Sequence, residues 1–284
     1  MKKLIPIAVI LFLFALSFST IHNLSGKYFN SNDFYFHFYK ANGNCYTDKY
    51  SLKACENYPP LYHWIAGPFS NSKIEFIYFN FLIICLIIPL IMYQITKSHW
   101  TFFIYFASGL PFILFYASIF AQAFLCVLFA LLLRSKTIKI SDFIIFFLGA
   151  LVHSKGVWVL APVLFYKLFC FYKEGKGIIY PVITLIQSPP DLGAFLKVIP
   201  PPIWPFILTL GLPEIILIVF YAVASFILAD FRAILFIPLL LSVFLPKQIE
   251  KAPPGLKILT VLGLALFTCL QFALFITDTL KMNL

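Results

Sequence analysis

Hydrophobic and polar positions follow one another along this chain in blocks. An uncharged run from Leu4 to Thr20 gives way to a polar excursion over residues 22–72, and a succession of further apolar runs follows. These are Ile74 to Ile95, Thr101 to about Phe120 with Gly109 and Pro111 interrupting it, Ala121 to Leu133, Ile140 to Val152 and Val157 to Tyr172. Apolar runs of this kind are the signature of bilayer-crossing helices. The pattern predicts an all-α polytopic membrane protein of about 8–10 transmembrane helices, forming a single domain over residues 1–284. Lys2 and Lys3 before the first run read as an uncleaved signal anchor with a cytoplasmic N-terminus, which puts the 22–72 loop on the extracytoplasmic face. The alternation then assigns Lys97, the cluster Arg134, Lys136 and Lys139, and Lys173 with Lys176 to the inner side. His153, Ser154 and Lys155 fall on the outer side.

Beyond Gly177 the blocks are less regular. The proline-rich stretch over residues 188–202 reads as a second outer loop, since proline prevents continuous helix. Ile203 to Leu228 fits either one long tilted span or a hairpin turning at Gly211 to Glu214. Placing Lys247, Lys251 and Lys257 inside favours the hairpin by parity and puts Asp230 and Arg232 at the outer end of a run from Ile234 to Leu245. A last span covers Ile258 to Ile276.

Composition agrees with the pattern: 62% of residues are hydrophobic and 11% charged, far outside soluble globular usage. The net charge of +10 does not imply nucleic acid, because the basic residues are scattered among short loops rather than gathered on one face. Of six cysteines, Cys85, Cys126, Cys170 and Cys269 lie in apolar runs and read as buried thiols. Cys45 and Cys55 share the polar loop, and an oxidising compartment allows them either a disulfide or two free thiols.

The loop also holds the candidate chemistry. Asp33 and His37 stand four residues apart in DFYFHFYKA, so a helix there would put carboxylate and imidazole on one face, among interfacial aromatics. Farther along, CENYPPLYHWIAGPF places Pro59 and Pro60 before a short juxtamembrane helix. Leu61, Trp64 and Ile65 would form its apolar stripe, with Tyr62 and His63 turned elsewhere and Glu56 and Tyr58 near its start.

These residues resemble the motifs of the GT-C superfamily of polytopic glycosyltransferases, which includes protein O-mannosyltransferases, aminoarabinose transferases and oligosaccharyltransferases. Asp33 to His37 is similar to the family's D-x-x-x-H pattern in the first outer loop. Tyr58 to His63 is similar to its Y-P-P-hydrophobic-x-H stretch. Lys155-Gly156 resembles the small-Lys-Gly segment opening a middle helix, and ADFRAILFIPLLL, with Arg232 and Pro238, the stretch in which an Arg precedes a proline-containing helix. Many relatives carry an acid near the position of Gln122. The chain is short for the superfamily and sits with its compact members.

The resemblance implies transfer of a hexosyl or pentosyl group, with inversion, from a polyprenyl-phosphate donor to a hydroxyl on a lipid, glycan or protein, at the extracytoplasmic face. Asp33 would be the general base or the acceptor-orienting carboxylate. Lys155 and Arg232 would hold the donor phosphate, and His37, Glu56, Tyr58 and His63 would line the acceptor side. The residues themselves support one part of this, because isolated cations at the outer ends of spans are functional candidates. Asp33 with Glu56 is able to hold a divalent ion, although no metal is predicted. The alternatives are a lipid or solute translocase using Glu214, Asp230 and Arg232, and a non-catalytic membrane scaffold docking through the loop.

Overall fold

The computed structural model describes residues 32–44, 58–116, 120–174, 199–227 and 235–281. All regular structure among them is helical. Helix α1 (Asn32–Ala41) belongs to the polar loop. After Pro59 and Pro60 the chain forms α2 (Leu61–Ala66), extended by a 3-10 turn over Gly67–Phe69. Trp64 and Ile65 are exposed while Tyr62 and His63 are buried, which is the facing that the sequence predicts.

Helix α3 (Lys73–Thr96) is capped by Ser72, whose hydroxyl accepts the Glu75 amide at 3.2 Å. A π turn over Ile83–Ile87 interrupts its α-helical register. In the π register the carbonyl of Ile84 would be met by the amide of residue 89, but residue 89 is proline and has none. The hydroxyl of Tyr105 donates to that carbonyl instead, at 2.7 Å. Lys97, with a left-handed φ of 57°, ends the helix.

Helices α4 (Trp100–Ala107) and α5 (Leu110–Tyr116) are separated by Gly109, whose φ of 69° suits glycine. The interruption predicted there is present. Helix α6 (Phe120–Leu132) is buried on nearly every side, as a helix apolar all round should be, and packs against α3 and its two successors, α7 (Ile140–Val152) and α8 (Gly156–Glu174). A β-carbon on Gly156 would meet the Gly149 carbonyl oxygen at 1.9 Å, so only glycine lets the start of α8 lie against the end of α7.

The second half departs from the sequence reading. Pro201–Ile203 is a 3-10 turn and α9 (Trp204–Ile207) a single helical turn; α10 (Leu212–Ile227) follows a break at Gly211. The turn falls where the hairpin reading put it, but the arm before it does not span. Pro201, Pro202 and Pro205 limit it to short turns, seated against α13 (Pro254–Lys281) at Gly263. Of the predicted span from Ile234 to Leu245 the described residues begin at 235, and in them α11 (Ile237–Phe244) is about 12 Å long. It is almost wholly buried against α3 and α4 and is followed by α12 (Pro246–Lys251).

Among the described residues one helix, α3 at 24 residues, is long and apolar enough to cross a membrane. Helices α6 and α7, at 13 residues each, extend about 20 Å. Large apolar side chains face outward on the peripheral helices, including Ile140 and Phe147 on α7, Trp158 and Phe165 on α8, and Leu262 and Leu266 on α13.

Candidate functional site

Aromatic packing anchors α1 and so positions His37. Phe34 is fully buried and meets Phe76 of α3 and Phe120 of α6 edge-on, with ring centroids 5.9 and 6.2 Å apart. Phe38 stacks on Phe34, and on the other flank the Lys73 ammonium donates to the Tyr35 hydroxyl at 2.9 Å. Helix α2 is held by Tyr62, which donates to Asn80 Oδ1 at 2.9 Å; the Asn80 amide donates in turn to the Phe76 carbonyl at 2.8 Å. Both short helices are thereby fixed to the start of α3.

Between them the two histidines singled out in the sequence meet. His37 Nδ1 and His63 Nε2 are 3.0 Å apart and their rings lie nearly parallel, so one nitrogen donates and the other accepts. Both rings are buried, and His63 Nδ1 has no hydrogen-bond partner. Burial pushes the His63 imidazole down to about 4, helped by the Lys40 ammonium; the nearby Pro59 carbonyl, outside hydrogen-bond geometry, acts in the opposite direction. His63 is therefore neutral at physiological pH, keeping one lone pair for accepting a proton. Lys40 lies 5.8 Å from the centre of the Phe36 ring and 5.9 Å from that of Tyr58, and partial burial lowers its own pKa.

Tyr58 is the meeting point. Its ring is edge-on to His37, His63 and His153 at 5.5, 5.4 and 5.4 Å. His153 comes from the turn between α7 and α8, where its extended backbone ends α7. Its Nδ1 accepts the Lys155 amide at 3.0 Å, which fixes a proton on Nε2. The polar loop and the Lys155-Gly156 turn are distant in sequence and adjacent in space. Lys155 itself is exposed on this turn.

Of the predicted site residues, His37, Tyr58 and His63 are in mutual contact, and Lys155 is one residue pair away through His153. Asp33 stands in the first turn of α1, one turn before His37, with its side chain outside the described residues. Glu56, Arg232, Cys45 and Cys55 also lie outside them. The described part of α10 runs from the Lys136 end of the molecule, where Glu214 pairs with Lys136 at 3.1 Å, toward the His153 end, where Tyr221 donates to the Val159 carbonyl. Among the described residues no three His, Cys, Asp or Glu side chains are grouped to hold a metal.

Sequence reasoning passed over His153 and Lys40. The signal available for His153 was its place as the first polar residue after an apolar run, immediately before the Lys155-Gly156 pair. Lys40 was visible one helical turn beyond Phe36 on the helix carrying His37. Gln122, noted for its departure from the resemblance, is buried with Oε1 unpartnered. Compared with protein-family models, with curated proteins and with solved structures, the chain matches none.

Proposed function

We propose that this chain is a multi-pass membrane glycosyltransferase of the GT-C type, moving a sugar from a polyprenyl-phosphate donor to a hydroxyl acceptor at the extracytoplasmic face. The observation that carries the reading is the contact of Tyr58 with His153. It brings the loop motif and the Lys155-Gly156 turn, chosen separately from the sequence, to one end of the helix assembly. The multi-pass reading draws on α3 and on the outward apolar faces of α7, α8 and α13, which water would penalise and acyl chains accommodate. Helix α13 runs for 28 residues and is uncharged from Ile258 to Thr277.

In this mechanism the acceptor hydroxyl loses its proton to Asp33 as its oxygen attacks the anomeric carbon. The bond from that carbon to the phosphate oxygen breaks, and polyprenyl phosphate leaves with the electron pair. Lys155 and Arg232 neutralise the charge that develops on the leaving group. His37 and His63, held together beside Tyr58, line the acceptor side, and attack opposite the phosphate inverts the anomeric centre.

The test is transfer of radiolabel from a panel of polyprenyl-phosphate sugars to endogenous acceptors, in membranes carrying the wild type or Asp33→Asn at equal expression. Transfer by the wild type and a loss of about 100-fold or more in the variant is the expected outcome. Equal transfer by both would remove Asp33 from the mechanism. No transfer with any donor would favour a translocase or scaffold.

A further inference from the structure

The turn that carries Lys155 is held from three sides. Gly156 lets its backbone lie against the Gly149 carbonyl, Tyr221 donates its hydroxyl to the Val159 carbonyl in the first turns of α8, and His153 Nδ1 accepts the Lys155 amide at 3.0 Å. A lysine on a surface turn usually sits on mobile backbone. Here the backbone is fixed while the side chain is exposed. The acceptor in the third restraint is an imidazole, and that same ring stands edge-on at 5.4 Å against Tyr58, which touches His37 and His63.

We propose that His153 is a positioning residue that sets Lys155 for the donor phosphate through Nδ1 and ties that setting to the acceptor-side loop through the contact of its ring with Tyr58. This rests on the reading of Lys155 as a phosphate ligand and deepens it. His153 touches neither substrate. Its accepting nitrogen shapes the turn as the side chain of an Asx turn does, bonding the amide two residues on. Its ring makes the turn and the loop parts of one packed unit, so that the phosphate-binding cation and the residues receiving the acceptor keep a fixed separation. The geometry separates the two roles. Asparagine at this position keeps an acceptor for the Lys155 amide and loses the ring, whereas phenylalanine keeps a ring against Tyr58 and loses the acceptor.

The experiment uses the full chain purified in detergent, titrated with a polyprenyl monophosphate carrying no sugar, for the wild type, His153→Asn, His153→Phe and Lys155→Ala. Each variant is accepted only if its thermal unfolding and elution match the wild type. His153→Phe is expected to weaken binding about tenfold and Lys155→Ala at least as much, with His153→Asn within about threefold of the wild type. In transfer assays His153→Phe should raise the donor KM about tenfold with kcat little changed, while His153→Asn keeps the donor KM and lowers kcat. Equal binding by wild type and His153→Phe, with Lys155→Ala weakened, would overturn the positioning role and leave the phosphate reading standing. Failure of the wild type to bind, or equal binding by Lys155→Ala, would overturn that reading and this inference with it. Should His153→Phe not fold, nitrogen-15 resonances of the wild-type histidines decide: the difference spectrum against His153→Asn must show Nδ1 of His153 as an unprotonated acceptor, and a protonated Nδ1 contradicts the proposal.

Discussion

The charge of Lys40 bears on His63. Burial, helped by the ammonium that lies against Phe36 and Tyr58, holds the imidazole at about 4 rather than the ordinary 6.5. Replacing Lys40 by methionine keeps much of the apolar stem and removes the charge, so the His63 pKa should rise, as read by NMR titration of its ring. An unmoved value would leave burial as the whole cause. The same shift has a consequence for stability. Between 6.5 and about 4 the unfolded chain holds a proton on His63 that the folded chain does not, so stability is full above that window and falls as pH drops through it. The complete loss is about 3 kcal/mol. Unfolding in detergent over this pH range should show a steeper acid decline for the wild type than for Lys40→Met. The reverse order would contradict the assignment.

The hairpin of α7 and α8 is held tightly at both of its ends. At one end, Asp142 and Lys167 form an ion pair at 2.8 Å with both side chains fully buried. Asp142 Oδ2 also accepts the Lys139 amide at 2.9 Å, and Oδ1 has no partner. Removing one charge leaves the other buried alone, so Lys167→Met should cost on the order of 3–5 kcal/mol in unfolding experiments; Lys167→Met with Asp142→Leu should recover much of that. At the other end, Gly156→Ala has to displace the Gly149 carbonyl and should cost about 1–3 kcal/mol. A fully stable Gly156→Ala protein would mean that α7 and α8 do not approach as described.

The limits of α7 were legible because Lys139 and His153 bracket an apolar run, and α2 was legible because Pro59 and Pro60 mark its start. Helix α11 was not. Its surroundings are apolar at almost every position, so no periodicity marks where the helix starts or stops. The π turn in α3 was hidden for another reason, since Pro89 signals a lost amide but not the Tyr105 hydroxyl that replaces it. His153 shows the same limit at the site, because its partner Tyr58 is set by tertiary packing. What the sequence carried was the local part: the spacing of His37, the prolines before His63 and the glycine after Lys155.

At the scale of the whole molecule, charge and packing divide the helix assembly into two ends. One holds His37, Tyr58, His63 and the His153 turn. The other holds Arg134 bonded to Ser141, Lys136 paired with Glu214, and the Asp142–Lys167 pair. Under the multi-pass proposal, the positive-inside tendency would assign the second end to the cytoplasm. Single cysteines at Asn71 and Ser154 should then react with an impermeant thiol reagent from outside, and one at Lys136 only after permeabilisation. Labelling of all three from one side would end the multi-pass proposal.

Under the proposed function, the end carrying the loop motif transfers sugar from a lipid-linked donor. The most direct measurement is a sided one, with purified protein reconstituted into vesicles, a radiolabelled polyprenyl-phosphate sugar in the bilayer, and a panel of hydroxyl acceptors confined to one compartment. Labelled product is expected only when the acceptors face the His153 end of the protein, with a loss of about 100-fold or more for Asp33→Asn. Product formed equally from either side, or equally by Asp33→Asn, would contradict the proposed function.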